Sequence, residues 1–173
     1  KKDFSNTLGK SYARRAFSKK IIFKGLNLLD ACIDLEGSVI PGKTTLVICS
    51  ENNEELKLLL AIINSKLVFN YIKIKYASSS YCGGITFTKD MINNFPLPHD
   101  CKEYKNKIIG AIDDILDIKQ INVDGDTSYL ENQIDILVYK LYNLTYDEVK
   151  IIDPEIEKII SREEYDADID SFK

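Results

Sequence analysis

The hydrophobic period changes near Asn52, and that change restricts the chain to an α+β fold. Before it, apolar residues come in short runs. These are Ile21-Ile22-Phe23, Ala31 to Asp34, and the β-branched stretch Thr44 to Cys49, which reads as a buried strand. Gly37 and Pro41-Gly42 mark turns between them, so strands and turns are expected over the first fifty residues. After Asn52, Leu56, Leu59, Leu60, Ile63, Leu67 and Tyr71 recur at helical spacing. Asn53-Glu54-Glu55 place a capping amide and two carboxylates where a helix start favours them. The pattern predicts a single helix over 54–74.

Downstream, Ser78 to Ser80 and Gly83-Gly84 make a polar loop around Tyr81, followed by a short strand at Ile85-Thr86-Phe87. Thr88 is placed to cap a helical turn over Lys89 to Asn93, before the extended Phe95-Pro96-Leu97-Pro98. Beyond Pro98, Tyr104, Ile108, Ile112, Ile115 and Ile118 predict a helix over 102–119. Asp124-Gly125-Asp126 breaks it, and a second helix starts at Asp126 or Thr127. Thr145 to Glu148 fits a capping box, and Asp153-Pro154 repeats a helix-start signal. The expected organisation is a strand-rich core over 1–98, a helical segment over 99–160 packing on it, and an acidic tail over 161–173 that frays. Within the core, helix 54–74 packs on a mixed, mostly antiparallel sheet.

Charge is divided along the same line. The 173 residues carry 23 Lys+Arg and 27 Asp+Glu, a net of −4. Residues 1–90 hold 14 basic and 8 acidic side chains, whereas residues 91–173 hold 9 and 19. A basic half can meet a polyanion that an acidic half avoids. No 18-residue apolar window and no charged-then-apolar leader is visible, so neither a membrane span nor a signal peptide is expected, and a cytoplasmic setting follows. Met91 is the only methionine, so the chain reads as a piece of a longer protein. Four cysteines without a CxxC read as reduced structural thiols. Cys82, His99 and Cys101 lack the paired spacing of a zinc site, and no metal is expected.

Gly37 to Thr44 satisfies the phosphate-loop pattern GxxxxGK[ST] in full. The context opposes it, since a strand-like stretch follows Thr44 and Pro41 removes a backbone donor. Nucleotide binding there is one alternative reading, and a helical protein-interaction module over 102–160 is another. Asn93-Asn94-Phe95-Pro96 does not match the Asn-Pro-Pro-Tyr of amino-methyltransferases, and no catalytic residue stands out; the lone His99 sits in a loop. What remains is a basic, aromatic first half suited to phosphate and base contacts. Arg14, Arg15, Lys19, Lys20 and Lys24 surround the first strand, and Lys73, Lys75 and Tyr76 close the long helix.

The order of several pieces resembles a known module. They are Lys19 to Phe23, Ala31 to Asp34, Pro41 to Leu46, the stretch Leu59 to Lys66 (LLAIINSK), and Gly83 to Pro98 ending in NFPLP. Together they look like the TaqI-like C-terminal specificity domain of adenine-specific DNA methyltransferases and fused type IIG restriction-modification enzymes. Type I specificity subunits share a similar arrangement. Ile134 to Thr145 resembles the segment that closes such enzymes, with Asn143 where glycine is common. The resemblance covers about residues 10–155 and implies a bacterial target recognition domain that is not itself catalytic. It would hold double-stranded DNA against an N-terminal methyltransferase domain of the same parent chain, absent here, which binds S-adenosylmethionine and is in some relatives joined to an endonuclease. No base contact transfers residue by residue. On physical grounds the DNA-binding set is Arg14, Arg15, Lys19, Lys24, Lys43, Lys73, Lys75, Tyr76, Ser79, Tyr81 and Lys89.

Overall fold

A computed structural model describes residues 10–24, 30–42, 44–76, 80–81, 84–85, 87–98 and 102–167. Its elements are α1 (Lys10–Ala16), β1 (Lys20–Lys24), β2 (Ala31–Asp34), β3 (Thr45–Cys49), α2 (Asn53–Asn64), α3 (Lys66–Lys75), β4 (Ser80–Tyr81), β5 (Gly84–Ile85), α4 (Lys89–Asn93), α5 (Lys102–Ile121), α6 (Ser128–Leu141), α7 (Tyr146–Ile152), a 3-10 turn (Ile156–Lys158) and α8 (Arg162–Asp166). The fold is α+β. It divides into two compact units, residues 1–64 with 71–97, and residues 65–70 with 98–173.

In the first unit β1 is the middle strand, paired antiparallel with β2 and β3. Lys20, Ile21, Ile22 and Phe23 are all buried, and α2 packs on β1 and β2 through a face that includes Leu56, Leu60 and Ile63. Truncating Phe23 would cost about 3–5 kcal/mol, the usual loss for a buried aromatic. The strand expected to be buried, β3, is an edge strand, half-buried along its length with Cys49 exposed. Helix α1 lies where only strands and turns were expected. It buries the small Ala13 and Ala16 and therefore shows no large-residue period. β4 and β5 form a two-residue antiparallel ladder. Thr88 caps α4 as its sequence implied, accepting from the Met91 N–H.

The single helix expected over 54–74 is two helices, parted at Ser65. Three consecutive residues explain the break. The Asn64 amide donates to the Ala31 carbonyl at 2.9 Å and accepts from the Ala31 N–H at 3.0 Å. The Ser65 hydroxyl accepts from the Val68 N–H, a capping bond at the start of α3. The Lys66 N–H donates to the Asp135 carboxylate at 2.9 Å rather than to a helical carbonyl.

In the second unit α5 packs along α6, and a core of Ile136, Tyr139, Tyr146, Val149, Ile156, Ile160 and Tyr165 gathers beneath Leu67, Leu144 and Ile152. The Lys66 ammonium lies 2.7 Å from Asp153 and 3.7 Å from Asp135, two carboxylates that are themselves buried. Helix α6 ends in a Schellman motif: Leu144 N–H reaches the Tyr139 carbonyl, Asn143 N–H reaches that of Lys140, and Asn143 takes φ 54°. That left-handed position is one that glycine takes without strain and asparagine tolerates. The capping box of Thr145 and Glu148 is formed on α7. Asp153-Pro154 leads into a 3-10 turn, and Ser161 with Glu164 makes a second capping box that starts α8. The acidic tail expected to fray from Ser161 is therefore helical through Asp166, anchored by the buried Tyr165.

Candidate nucleic-acid interface

The described members of the eleven-residue DNA-binding set do not form one cluster. Lys43 and Ser79 lie outside the described residues, as does the side chain of Tyr81, whose backbone is in β4. Arg14 and Arg15 are exposed in the last turn of α1, where cations complement the helix dipole. Arg15 donates to the Ser11 hydroxyl at 2.7 Å, one turn back on the same helix. Lys19 is half-buried and donates to the Asn53 side chain at 2.9 Å, tying the start of β1 to the start of α2. Lys24 ends β1 exposed.

Lys73 and Lys75 are exposed in the last turn of α3. The Lys75 ammonium bonds the Tyr71 hydroxyl at 2.5 Å and lies 5.0 Å from the Tyr71 ring centre and 5.7 Å from that of Tyr76. The bond to Tyr71 raises the Lys75 pKa, so its charge is secure. Tyr71 also meets Phe95 edge-on at 5.3 Å, which seats the NFPLP segment against α3.

Lys20, read as part of the basic cluster, is not available to any partner. It is fully buried, donating to Asp34 at 2.5 Å and to the carbonyls of Ala16 and Ser18. Burial pushes the Asp34 carboxyl up, but the Lys20 ammonium and the N–H groups of Val39 and Ser38 outweigh it and hold the pKa at about 2.

The same carboxylate disposes of the phosphate-loop reading. Asp34 takes the Ser38 and Val39 N–H groups that a phosphate would need, and it brings a negative charge. The Pro41 carbonyl receives the Tyr12 hydroxyl, and β3 rather than a helix follows Thr44. Gly37 is required for another reason: at φ 63° a Cβ there would stand 2.3 Å from the Phe17 carbonyl oxygen.

Two members of the set are brought together. Arg15 and Lys89 line a concavity of about 450 Å³ in the first unit, with Tyr12, Asn93 and the half-buried face of β3. Tyr12 is fixed there by its bond to Pro41, 2.5 Å long. Two cations and an amide around a partly apolar floor can grip phosphate oxygens while offering a donor and an acceptor to a base edge. Lys24, Lys73, Lys75 and Tyr76 lie outside this concavity. Tyr12 and Asn93 were missed, although each sits one helical turn from a chosen cation, Tyr12 at three residues from Arg15 and Asn93 at four from Lys89.

Among the described residues, no helix is long and apolar enough to cross a membrane, and no group of three His, Cys, Asp or Glu could hold a metal ion. No protein-family model matches the chain. A 104-residue stretch, 59% of the chain, is 33% identical to the Type II methyltransferase M.BanIII of Aneurinibacillus aneurinilyticus. The chain spans 18% of that protein's length. The similarity thus takes in more than half of this chain and a small part of a type II methyltransferase.

Proposed function

We propose that this chain is the sequence-recognition domain of an adenine-specific DNA methyltransferase of a restriction-modification system. The observation that carries the reading is the 33% identity to a type II methyltransferase over a stretch that is a small share of that protein. The concavity holding Arg15, Lys89, Tyr12 and Asn93 supports it, because cations beside donor and acceptor groups are what duplex DNA requires. In this reading the basic first unit holds double-stranded DNA and positions the target adenine for a catalytic domain elsewhere in the parent chain. S-adenosylmethionine belongs to that other domain.

The test is fluorescence anisotropy with a randomised duplex pool, followed by sequencing of the bound fraction. Recovery of one short motif is expected. Arg15→Ala with Lys89→Ala should weaken binding across all sequences and reduce the slope of log affinity against log salt by about 2, roughly one per lost phosphate contact. An unchanged salt slope would remove this concavity from the interface. A bound pool with no enriched motif would sink the assignment as a recognition domain.

A further inference from the structure

The second unit carries a groove that the DNA reading leaves unused. Two adjoining hollows, about 300 Å³ and 480 Å³, run along the α5–α6 pair and share Asp114 and Leu130. On α5 the lining residues Lys107, Gly110, Ala111, Asp114, Asp117 and Ile118 fall at three- and four-residue steps, one continuous stripe. From Lys107 to Ile118 that stripe is about 16 Å long, three helical turns at 1.5 Å per residue. On α6 it is matched by Leu130, Gln133 and Leu137 at the same period.

Three features say what fits it. The floor is apolar, with Ala111, Ile118, Leu130 and Leu137. One end is acidic, with Asp114 and Asp117 exposed one turn apart and Asp126 facing the same hollow. Gly110 stands in the middle of α5, exposed, with open space where its Cβ would be. Glycine in a helix interior is unfavourable, and its use here leaves room for another backbone to approach closely. Tyr129, which lines the acidic hollow, is 67% exposed.

We propose that this groove binds an amphipathic helix of a partner polypeptide, three turns long, with an apolar stripe flanked by Lys or Arg. The length of the stripe sets the turns, and ridges-into-grooves packing sets the helical form. The carboxylates of Asp114, Asp117 and Asp126 select a basic occupant over an acidic one. The groove shares no residue with the proposed DNA contacts, and its test uses a peptide rather than DNA.

The probe is a fluorescein-labelled 14-residue leucine/lysine helix, titrated with the whole chain and followed by anisotropy; a leucine/glutamate helix of the same pattern is the control. The lysine probe should bind at least about tenfold more tightly than the control, the discrimination that complementary charge gives. Gly110→Leu fills the groove while favouring the helix, and circular dichroism will show that α5 is retained; it should weaken the lysine probe about tenfold or more. Asp114→Asn with Asp117→Asn should weaken it about fivefold and flatten its salt dependence. Binding that survives Gly110→Leu unchanged would reduce the effect to general attraction by an acidic surface and overturn the proposal. Sedimentation showing a dimer that Gly110→Leu dissociates would overturn it too, giving the groove to a second copy of the chain.

Discussion

Lys20 and Asp34 stand opposite one another in the β1–β2 register and close an ion pair from which water is excluded on both sides. The pair is completed by the carbonyls of Ala16 and Ser18 on the cation and the Ser38 and Val39 N–H groups on the carboxylate. Such a pair adds little over apolar residues of the same volume, yet removing one partner strands a buried charge. Lys20→Met should therefore destabilise the chain by about 3–5 kcal/mol, and Lys20→Met with Asp34→Leu by less than the two single changes added together. Urea denaturation at neutral pH checks both. The Asp34 carboxyl is depressed to about 2, so its contribution is complete above the ordinary carboxylate range and is lost as pH falls from about 4 toward 2. Asp34→Asn should flatten the acid limb of a stability–pH profile in that window.

Asp135 has the opposite sign. Burial pushes its carboxyl up to about 6 against the Lys66 N–H and ammonium, which pull it down. A raised folded pKa favours the protonated form, so its stabilising effect is present below about pH 4 and is lost as pH rises through 6. Asp135→Asn keeps an acceptor for the Lys66 N–H and cannot ionise. Thermal melts from pH 4 to 8 should show the parent losing stability relative to this variant across that interval, and parallel curves would reject the assignment.

Tyr139 is fully buried, and its hydroxyl has no hydrogen-bond partner among the described residues. Burial first, and then the neighbouring Asp135 and Asp153, keep its pKa far above the normal range, so it stays a neutral, unsatisfied donor. Tyr139→Phe removes only that oxygen and should stabilise the chain by about 1 kcal/mol, measured as a raised urea midpoint with unchanged slope.

Asn143 holds the left-handed residue of the α6 cap. Asn143→Gly should leave stability within a few tenths of a kcal/mol, whereas Asn143→Val should cost about 1–2 kcal/mol, since a β-branched side chain clashes there. Equal melting temperatures for the two variants would show that the turn is not a constraint.

Local signals foretold the elements whose causes are local. The apolar runs of β1 and β2, the Thr88 cap, the Thr145 capping box and the period of α5 and α6 all act within a few residues. Two of the failures share a cause, interactions that span the chain. Nothing in the neighbourhood of Lys20 distinguishes it from Lys19, because its partner is fourteen residues away on the next strand. The apolar period runs through Ser65 without a break, and what parts the helix is a bond from Lys66 to a carboxylate sixty-nine residues on. Ser161 and Glu164 are the exception, a legible capping box that acidic composition obscured. For the candidate interface, charge marked Arg15 and Lys89, but only tertiary packing joins them across α1, β3 and α4.

The Asn64 amide has a consequence for how this molecule behaves among its own copies. Among the described residues β2 is an outer strand, and an outer strand offers unpaired backbone groups on which a foreign strand can grow. At Ala31 both of those groups are already engaged, the N–H and the carbonyl each matched by one end of a single side chain. Asn64 thus imitates one residue of a missing neighbouring strand and stops the sheet from extending there. A residue at the end of a helix in this way removes one foothold from which a further strand could extend the sheet.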